Sequence, residues 1–178
     1  MGHILIESLF EGIVLVEKTS SEFYKRASEM LKSEDASKLL QRLAKEEDAH
    51  AQYYQKYLNS IQENLKLQAK GLAGKTDENE SKEPEHSFPE TKQVVEALPL
   101  LKERILETLT NLRKVNLTQG FDVVTFFIKQ EESAIAFYSD LKKVILANDR
   151  PHLEFILEQE RDHLKSLISL RSRMLKDA

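Results

Sequence analysis

Apolar residues recur along most of this 178-residue chain at intervals of three and four, the spacing that gives an α-helix one apolar face. The pattern predicts a first helix over residues 3–32 and a second over 36–69. It predicts a third over 121–147 and a fourth that follows a turn at 148–151 and ends near residue 176. Each pair has a short connection, so its two helices should be antiparallel neighbours.

The residues between the two pairs have a different composition. The stretch 71–90, GLAGKTDENESKEPEHSFPE, contains two Gly, two Pro and many charges, which is typical of a mobile linker or crossover. Helical spacing returns at about 91–113, where Pro99 either interrupts the helix or lies near its start. No segment has the pattern of a β-strand.

Two helical hairpins joined by a long connection form an all-α four-helix bundle with one crossover. At 178 residues the chain is long enough for one domain with a substantial core. We therefore predict a single domain over 1–178, made of hairpin one at about 4–69, a mobile linker at about 71–90, an extra helix at about 91–113 and hairpin two at about 121–176.

The composition narrows the classes of function. Only 5 Gly and 4 Pro occur, and 31% of the residues are charged, which favours long helices over many turns. There is no Cys, which excludes disulfides, thiolate metal sites and a Cys nucleophile. The net charge of -4 gives no electrostatic footprint for nucleic acid.

The longest apolar run near the start is too short to span a bilayer, and no signal-peptide pattern is present, so we expect a soluble cytoplasmic protein with no membrane partner.

The chain carries one chemical motif twice. EDAH at 47–50 and ERDH at 160–163 each place a carboxylate and an imidazole three residues apart, on one face of a helix. A segment with Glu at its first position and Tyr at its last precedes each motif: EKTSSEFY at 17–24 and EESAIAFY at 131–138. From glutamate to glutamate the intervals are 30 and 29 residues, so the two halves are in register.

Heptad rows test whether these residues face inward, because residues seven apart share a helix face. Glu47 lies between Leu40 and Tyr54, and the other candidates also have apolar or aromatic neighbours in their rows. Asp48 and Glu132 have polar row neighbours and should be solvated. Carboxylates that converge in an apolar core repel one another unless protons or cations neutralise them. Two divalent metals would neutralise four glutamates, with two imidazoles completing the shells. The candidate ligands are Glu17, Glu47, His50, Glu131, Glu160 and His163.

Simpler interpretations compete with this one. A lone Glu-x-x-His in a glutamate-rich helix is usually a surface pair, and a lone inward Glu can pair with Lys. Glu46 competes with Glu47, since it lies four residues before His50. The position that matches Glu46 in the second half is Gln159, which has no charge, so the repeat favours Glu47.

Two tyrosines, Tyr24 and Tyr138, lie two helical turns after Glu17 and Glu131. They either pack in the core with satisfied hydroxyls or donate a hydrogen bond that orients a ligand carboxylate. A nearby redox-active phenol is the other functional role open to them.

One Glu on each of two helices and Glu-x-x-His on each of two others resembles the signature of the ferritin-like di-iron carboxylate proteins. Phe23-Tyr24 and Phe137-Tyr138 make both hairpins most similar to the rubrerythrin branch. The resemblance implies that the six candidates bind two Fe ions, with Glu47 and Glu160 bridging, although Mn and Zn accept the same ligands. It also implies an oxidoreductase that reduces dioxygen or hydrogen peroxide, and we expect a homodimer.

Two departures from that family change the expectation. Rubrerythrins usually carry a Cys-rich rubredoxin-like domain, and a chain without Cys needs a separate electron-donor protein. They also tend to have a glutamate three residues after the ligand at Glu131, where this chain has Ala134, so its peroxide chemistry should be less specialised. The alternatives are a metal-binding module that handles iron without turnover and a helical scaffold with a vestigial site.

Overall fold

The structure is a computed structural model that describes residues 2–69, 92–114, 120–145 and 150–176. These ranges contain no β-strand, which confirms the all-α prediction for them. The predicted mobile linker at 71–90 lies outside the described residues. Within the described ranges, no helix combines the length and the apolar content needed to cross a membrane. The helices are α1 (Gly2–Met30), α2 (Glu34–Ala69), α3 (Lys92–Lys114), α4 (Gly120–Val144) and α5 (Arg150–Met174).

A capped break separates α1 from α2. The backbone amide of Ala36 donates to Ser33 Oγ at 3.4 Å, so Ser33 is the N-cap of α2. Glu34 and Asp35 follow in the first turn, where negative charge interacts favourably with the helix dipole. In the second pair, Pro151 is the second residue of α5, a position that needs no amide hydrogen. The two most extensive helix contacts are those of α1 with α2 and of α4 with α5, the two pairs that were predicted to form hairpins.

The extra helix α3 packs against both α1 and α4. It is continuous through Pro99, which is its eighth residue, so both alternatives for Pro99, an interruption and a position near the helix start, are wrong. Its buried face includes Leu98, Leu101 and Ile105. A close approach to α1 occurs at Gly12, where a Cβ atom would lie 3.0 Å from Cγ2 of Ile105. The absence of a side chain at Gly12 therefore allows α3 to lie close to α1.

The buried core consists of two apolar clusters. One contains residues from the start of α1 and α5 and from the end of α2 and α4, such as Phe10, Tyr54 and Ile156. The other contains residues from the opposite ends of the same helices, such as Leu40 and Phe127. Between the two clusters, near the middle of α1, α2, α4 and α5, lies a layer of buried polar residues. Its members are Glu17, Glu47, His50, Glu131, Glu160 and His163.

Candidate metal centre

All six candidate ligands are buried, with between 1% and 4% of their surface exposed. One comes from α1, one from α4 and two from each of α2 and α5, so the four long helices all contribute. The two control positions differ from them: Glu132 is exposed, and Asp48 is half-buried and accepts a hydrogen bond from Gln52 at 2.9 Å. The inward orientation that the heptad rows predict for the candidates is therefore present in the structure.

The six residues form two overlapping groups. In each group, one ligand atom per residue can be chosen so that all of these atoms lie within 4.8 Å of one another. We call them the His50 group (Glu17, Glu47, His50 and Glu160) and the His163 group (Glu47, Glu131, Glu160 and His163). Glu47 and Glu160 belong to both groups, whereas each of the other residues belongs to one.

The shared carboxylates each turn one oxygen toward each group. Glu47 places Oε2 3.4 Å from His50 Nδ1 and Oε1 3.1 Å from His163 Nδ1. Glu160 places Oε1 3.1 Å from His50 Nδ1 and Oε2 3.6 Å from His163 Nδ1. The terminal carboxylates lie slightly farther away, with Glu17 at 3.8 Å from His50 Nδ1 and Glu131 at 3.7 Å from His163 Nδ1. Each of the two shared carboxylates therefore has one oxygen near each histidine.

Several of these buried atoms have no hydrogen-bond partner in the described part of the chain. They are Nδ1 of both histidines, Oε2 of Glu131 and Oε1 of Glu160. The Nδ1 atoms are close enough to the carboxylates for a charge interaction, but the geometry is not that of a hydrogen bond. A buried polar atom without a partner costs about 1–3 kcal/mol. Imidazole nitrogen and carboxylate oxygen are ligands for divalent first-row metals, so a metal ion in each group would satisfy these atoms.

Without metal, the layer balances its charge with protons. Burial, followed by the charge of Glu47, raises the pKa of Glu17 well above its usual value. Burial and the charge of Glu160 do the same to the pKa of Glu131. Burial also acts to raise the pKa of Glu47 and Glu160, but their contacts with the two histidines outweigh it and lower both pKa values.

For the two histidines, burial lowers the pKa and the neighbouring carboxylates raise it. Burial lowers the pKa of His50, but the adjacent Glu160 and Glu47 carboxylates outweigh it and raise the pKa to about 10. The pKa of His163 is raised well above its usual value, because three carboxylates outweigh burial there too. Glu17 and Glu131 therefore favour the neutral form, Glu47 and Glu160 favour the ionised form, and the two imidazoles favour the cationic form.

The outer nitrogen of each histidine contacts the motif on the opposite helix. His163 Nε2 donates to Glu46 Oε2 at 2.8 Å, and His50 Nε2 lies 3.1 Å from Oε1 of Gln159. Glu46 is in neither ligand group, as the repeat predicts, but the sequence reasoning missed its contact with His163. The signal was available, since Glu46 and Gln159 immediately precede the matched glutamates Glu47 and Glu160.

The tyrosines lie on both sides of the polar layer. Tyr24 donates a hydrogen bond to Oε1 of Glu131, across from its own helix, and its ring stacks on Phe127 at 4.0 Å between centroids. Tyr138 is buried and stacks on Tyr54 at 5.8 Å. The Tyr54 hydroxyl is buried without a hydrogen-bond partner among the described residues. Burial, followed by the charges of Glu17 and Glu160, raises the pKa of Tyr54 well above its usual value.

Tyr54 is therefore a buried phenol within electrostatic reach of the ligands that sequence reasoning did not single out. Its signal was its place in the heptad row of Glu47. The hydrogen bond of Tyr24 is of the kind expected for a residue that orients a ligand carboxylate, while the roles of Tyr24 and Tyr138 toward a bound metal stay predictions.

A cavity adjoins the layer on the side covered by α3. About 40 Å³ of it is open to the centres of water molecules, which corresponds to about three waters at ~10–15 Å³ each. Its lining includes the buried Glu17 and Glu131, the half-buried Ala134 and Arg104, and the exposed Ser133. Arg104 also forms an ion pair with Asp140 of α4 at 3.0 Å, which ties α3 to α4 beside the cavity. The wall of the cavity thus contains both candidate ligands and an exposed residue.

Comparisons with protein-family models, with curated proteins and with solved structures find no match to this chain. The case for its function therefore rests on the geometry of the buried layer.

Proposed function

We propose that this chain is a ferritin-like di-iron carboxylate protein, similar to rubrerythrin, that reduces dioxygen or hydrogen peroxide. One observation carries the proposal: two buried Glu/His groups share Glu47 and Glu160 in the middle of a helical bundle. Two metal ions in these groups would be held by four glutamates and two histidines, of which Glu47 and Glu160 belong to both groups. Mn²⁺ and Zn²⁺ would accept the same ligands. The identity of the metal as iron therefore has to be tested by its redox reaction.

Bound iron would supply the electrons for reduction of the oxidant. The six candidate ligands would hold the metals, and the two apolar clusters on either side would exclude bulk water. Tyr24 would orient one terminal carboxylate, because its hydroxyl donates a hydrogen bond to Glu131. Because both histidines present Nδ1 to the shared carboxylates, their outer nitrogens remain available to Glu46 and Gln159.

The cavity supports a small oxidant as the substrate. A space for about three water molecules admits dioxygen or hydrogen peroxide and is too small for a typical organic substrate. Gln130 lines the cavity, and its buried Oε1 has no hydrogen-bond partner in the described residues. That oxygen can accept a hydrogen bond from peroxide or water in the cavity, which dioxygen cannot provide.

The donor of electrons would be a separate protein, since the chain has no Cys for a rubredoxin-like iron site. A homodimer and a cytoplasmic location remain part of the proposal.

The test is oxidation of protein loaded anaerobically with two equivalents of Fe(II). Mixing with dioxygen or hydrogen peroxide in a stopped-flow spectrometer should oxidise the iron faster than free Fe(II) in the same buffer, and repeatedly when a reductant is present. Glu132→Gln, an exposed glutamate next to a candidate ligand, is the matched control and should behave as wild type. Binding without faster oxidation would instead identify an iron-handling module, and the absence of tight binding would identify a scaffold.

Ala134 sharpens the choice of oxidant. It lines the cavity one helical turn after Glu131, so a glutamate there would share that ligand's face and extend into the cavity. We expect wild type to react with dioxygen as well as with peroxide, and Ala134→Glu to shift the ratio of the two rates toward peroxide. A wild type that prefers peroxide by orders of magnitude, with no change in the variant, would contradict this expectation.

A further inference from the structure

The two inward histidines have chemically different partners on their outer nitrogens. His163 Nε2 lies 2.8 Å from a carboxylate oxygen of Glu46, and His50 Nε2 lies 3.1 Å from the amide oxygen of Gln159. Both partners occupy the same place in the internal repeat, one residue before a shared glutamate. The repeat therefore differs chemically at a position that contacts the site without belonging to either ligand group.

A carboxylate and an amide constrain a histidine differently. An ionised carboxylate only accepts hydrogen bonds, so Glu46 requires the proton of neutral His163 to be on Nε2 and leaves the Nδ1 lone pair facing the ligand group. An amide can rotate and donate through its NH₂, so Gln159 is compatible with either tautomer of His50. When a metal binds, Glu46 thus keeps the outer proton of His163 on Nε2 so that the Nδ1 proton is the one released, whereas Gln159 imposes no such choice on His50.

The charge of the partner acts in the same direction. A carboxylate on the outer N–H increases the electron-donating strength of the imidazole toward a metal, and loss of such a partner typically costs 10–100-fold in metal affinity. Glu46 is positioned to supply that charge: its side chain is 29% exposed, and Oε1 lies 4.0 Å from Nη1 of Arg42. A neutral amide at Gln159 supplies no such charge.

We infer that Glu46 is a positioning residue that makes the His163 group the tighter of two unequal metal sites, so that metals load in order, first into the His163 group and then into the His50 group. The inference rests on the metal-binding part of the proposed function and does not depend on the oxidant. It assigns to Glu46 and Gln159 the role of setting the loading order.

The probe is Zn²⁺, because it is diamagnetic and needs no redox partner. Histidine ring ¹⁵N signals, assigned with His50→Gln and His163→Gln, are followed by NMR as Zn²⁺ is added, and dissociation constants are measured by competition with a chelator. The variants are Glu46→Gln, Gln159→Glu and the double exchange Glu46→Gln/Gln159→Glu, with Glu132→Gln as control. Both single exchanges are nearly isosteric, so the fold should be retained, and circular dichroism checks this.

In wild type, the first equivalent of Zn²⁺ should give the Nδ1 signal of His163 the shift typical of metal coordination, and the Nδ1 signal of His50 should show that coordination shift only with the second equivalent. Glu46→Gln should weaken the first binding step by about 10–100-fold and make the two signals shift together. The double exchange should reverse the order, so that His50 responds first, which a purely structural role for Glu46 would not produce.

Three results would overturn the inference. They are simultaneous filling of both groups in wild type, an unchanged loading order in the double exchange, and complete loss of one metal in Glu46→Gln, which would make Glu46 a ligand. All three still leave a protein that binds metal, whereas failure of the proposed function would appear as no Zn²⁺ binding to any form.

Discussion

The His50 group and the His163 group are built from the same kinds of ligand but differ in their neighbours. In the His163 group, the histidine contacts a carboxylate, Glu46, and the terminal ligand Glu131 accepts a hydrogen bond from Tyr24. In the His50 group, the histidine contacts an amide. Tyr138, which the repeat matches with Tyr24, stacks its ring on that of Tyr54.

The comparison separates two properties of the centre. The shared carboxylates make the groups interdependent, because each contributes one oxygen to both histidine sides. The neighbours make the groups unequal, because Glu46 and Tyr24 contact the histidine and the terminal carboxylate of the His163 group, whereas His50 contacts an amide. Substitutions at shared, terminal and neighbouring positions should therefore have effects of decreasing size.

Loss of a shared carboxylate should have the largest effect. Glu47→Gln and Glu160→Gln each remove an anionic ligand from both groups, so both metals should be lost after desalting. Glu17→Gln and Glu131→Gln remove a ligand from one group only, so each variant should keep one metal. Metal content by mass spectrometry measures the difference. Two tightly bound metals per chain in Glu47→Gln and Glu160→Gln would refute the ligand assignment.

The second largest effect should be an increase in the free energy of unfolding when metal binds. A metal that binds only the native state stabilises it by about 2.7 kcal/mol per filled site at a hundredfold excess over its dissociation constant. Wild type should gain about twice that amount with both groups filled, and Glu17→Gln should gain it once. Denaturant unfolding with and without Mn²⁺ gives both values. An equal gain in the two proteins would mean that Glu17 contributes nothing to binding.

The terminal and shared carboxylates should have opposite effects on the pH dependence of the metal-free protein. Raised pKa values of Glu17 and Glu131 give stability that is complete below their usual value of 4.5 and is lost as pH rises. His50 acts likewise, from 6.5 to about 10. Lowered pKa values of Glu47 and Glu160 give stability that is lost as pH falls below 4.5.

The metal-free melting temperature should therefore be highest near pH 5 and fall toward pH 9. Metal displaces the bound protons, so the stabilisation by metal should instead increase with pH over the same range. Thermal unfolding by circular dichroism, with and without Mn²⁺, measures both trends. A metal-free melting temperature that rises between pH 5 and pH 9 would contradict the assigned protonation.

The smallest expected effect is that of a single hydroxyl. Tyr24→Phe removes the hydrogen bond to Glu131 and should destabilise the metal-free protein by about 1 kcal/mol. Tyr54→Phe is the matched control, since it removes a buried hydroxyl that has no partner among the described residues, and it should be neutral or stabilising. Denaturant unfolding measures both, and equal losses in the two variants would show that the Tyr24 bond has no net effect.

Much of the helical architecture could be predicted because local and tertiary signals agree. Ser33 is a capping residue followed by acidic residues, and apolar residues recur at helical spacing on both sides of it. The uncertainty at Pro99 had a physical origin. Proline costs about 3 kcal/mol in a helix interior, and only packing decides whether it is tolerated. Here burial of Leu98 and Leu101 beside an exposed Pro99 offsets that cost.

The six inward residues could be proposed from spacing within single helices. Each Glu-x-x-His pair lies on one helix face, and Glu17 and Glu131 have apolar or aromatic neighbours seven residues away. Contacts between helices carry no such signature. Whether Glu46 meets His163, or Tyr24 meets Glu131, depends on how α2 packs on α5 and α1 on α4, which no interval within one helix determines. The difference between Glu46 and Gln159 within the repeat favours Glu47 as the ligand, and it also distinguishes the neighbours of the two groups.

The glycine at position 12 has a consequence for what can reach the metals. An added methyl group would meet Ile105 at 3.0 Å, and Ile105, a β-branched side chain with few rotamers, lines the cavity. Relief of that contact requires Ile105 to move by a few tenths of an ångström. In a cavity that holds about three waters, movement of a side chain in the wall changes the space that is open to an incoming molecule. The size limit for an incoming molecule can thus change by mutation at a residue that touches neither metal nor ligand, and the chemistry of the centre would be left intact.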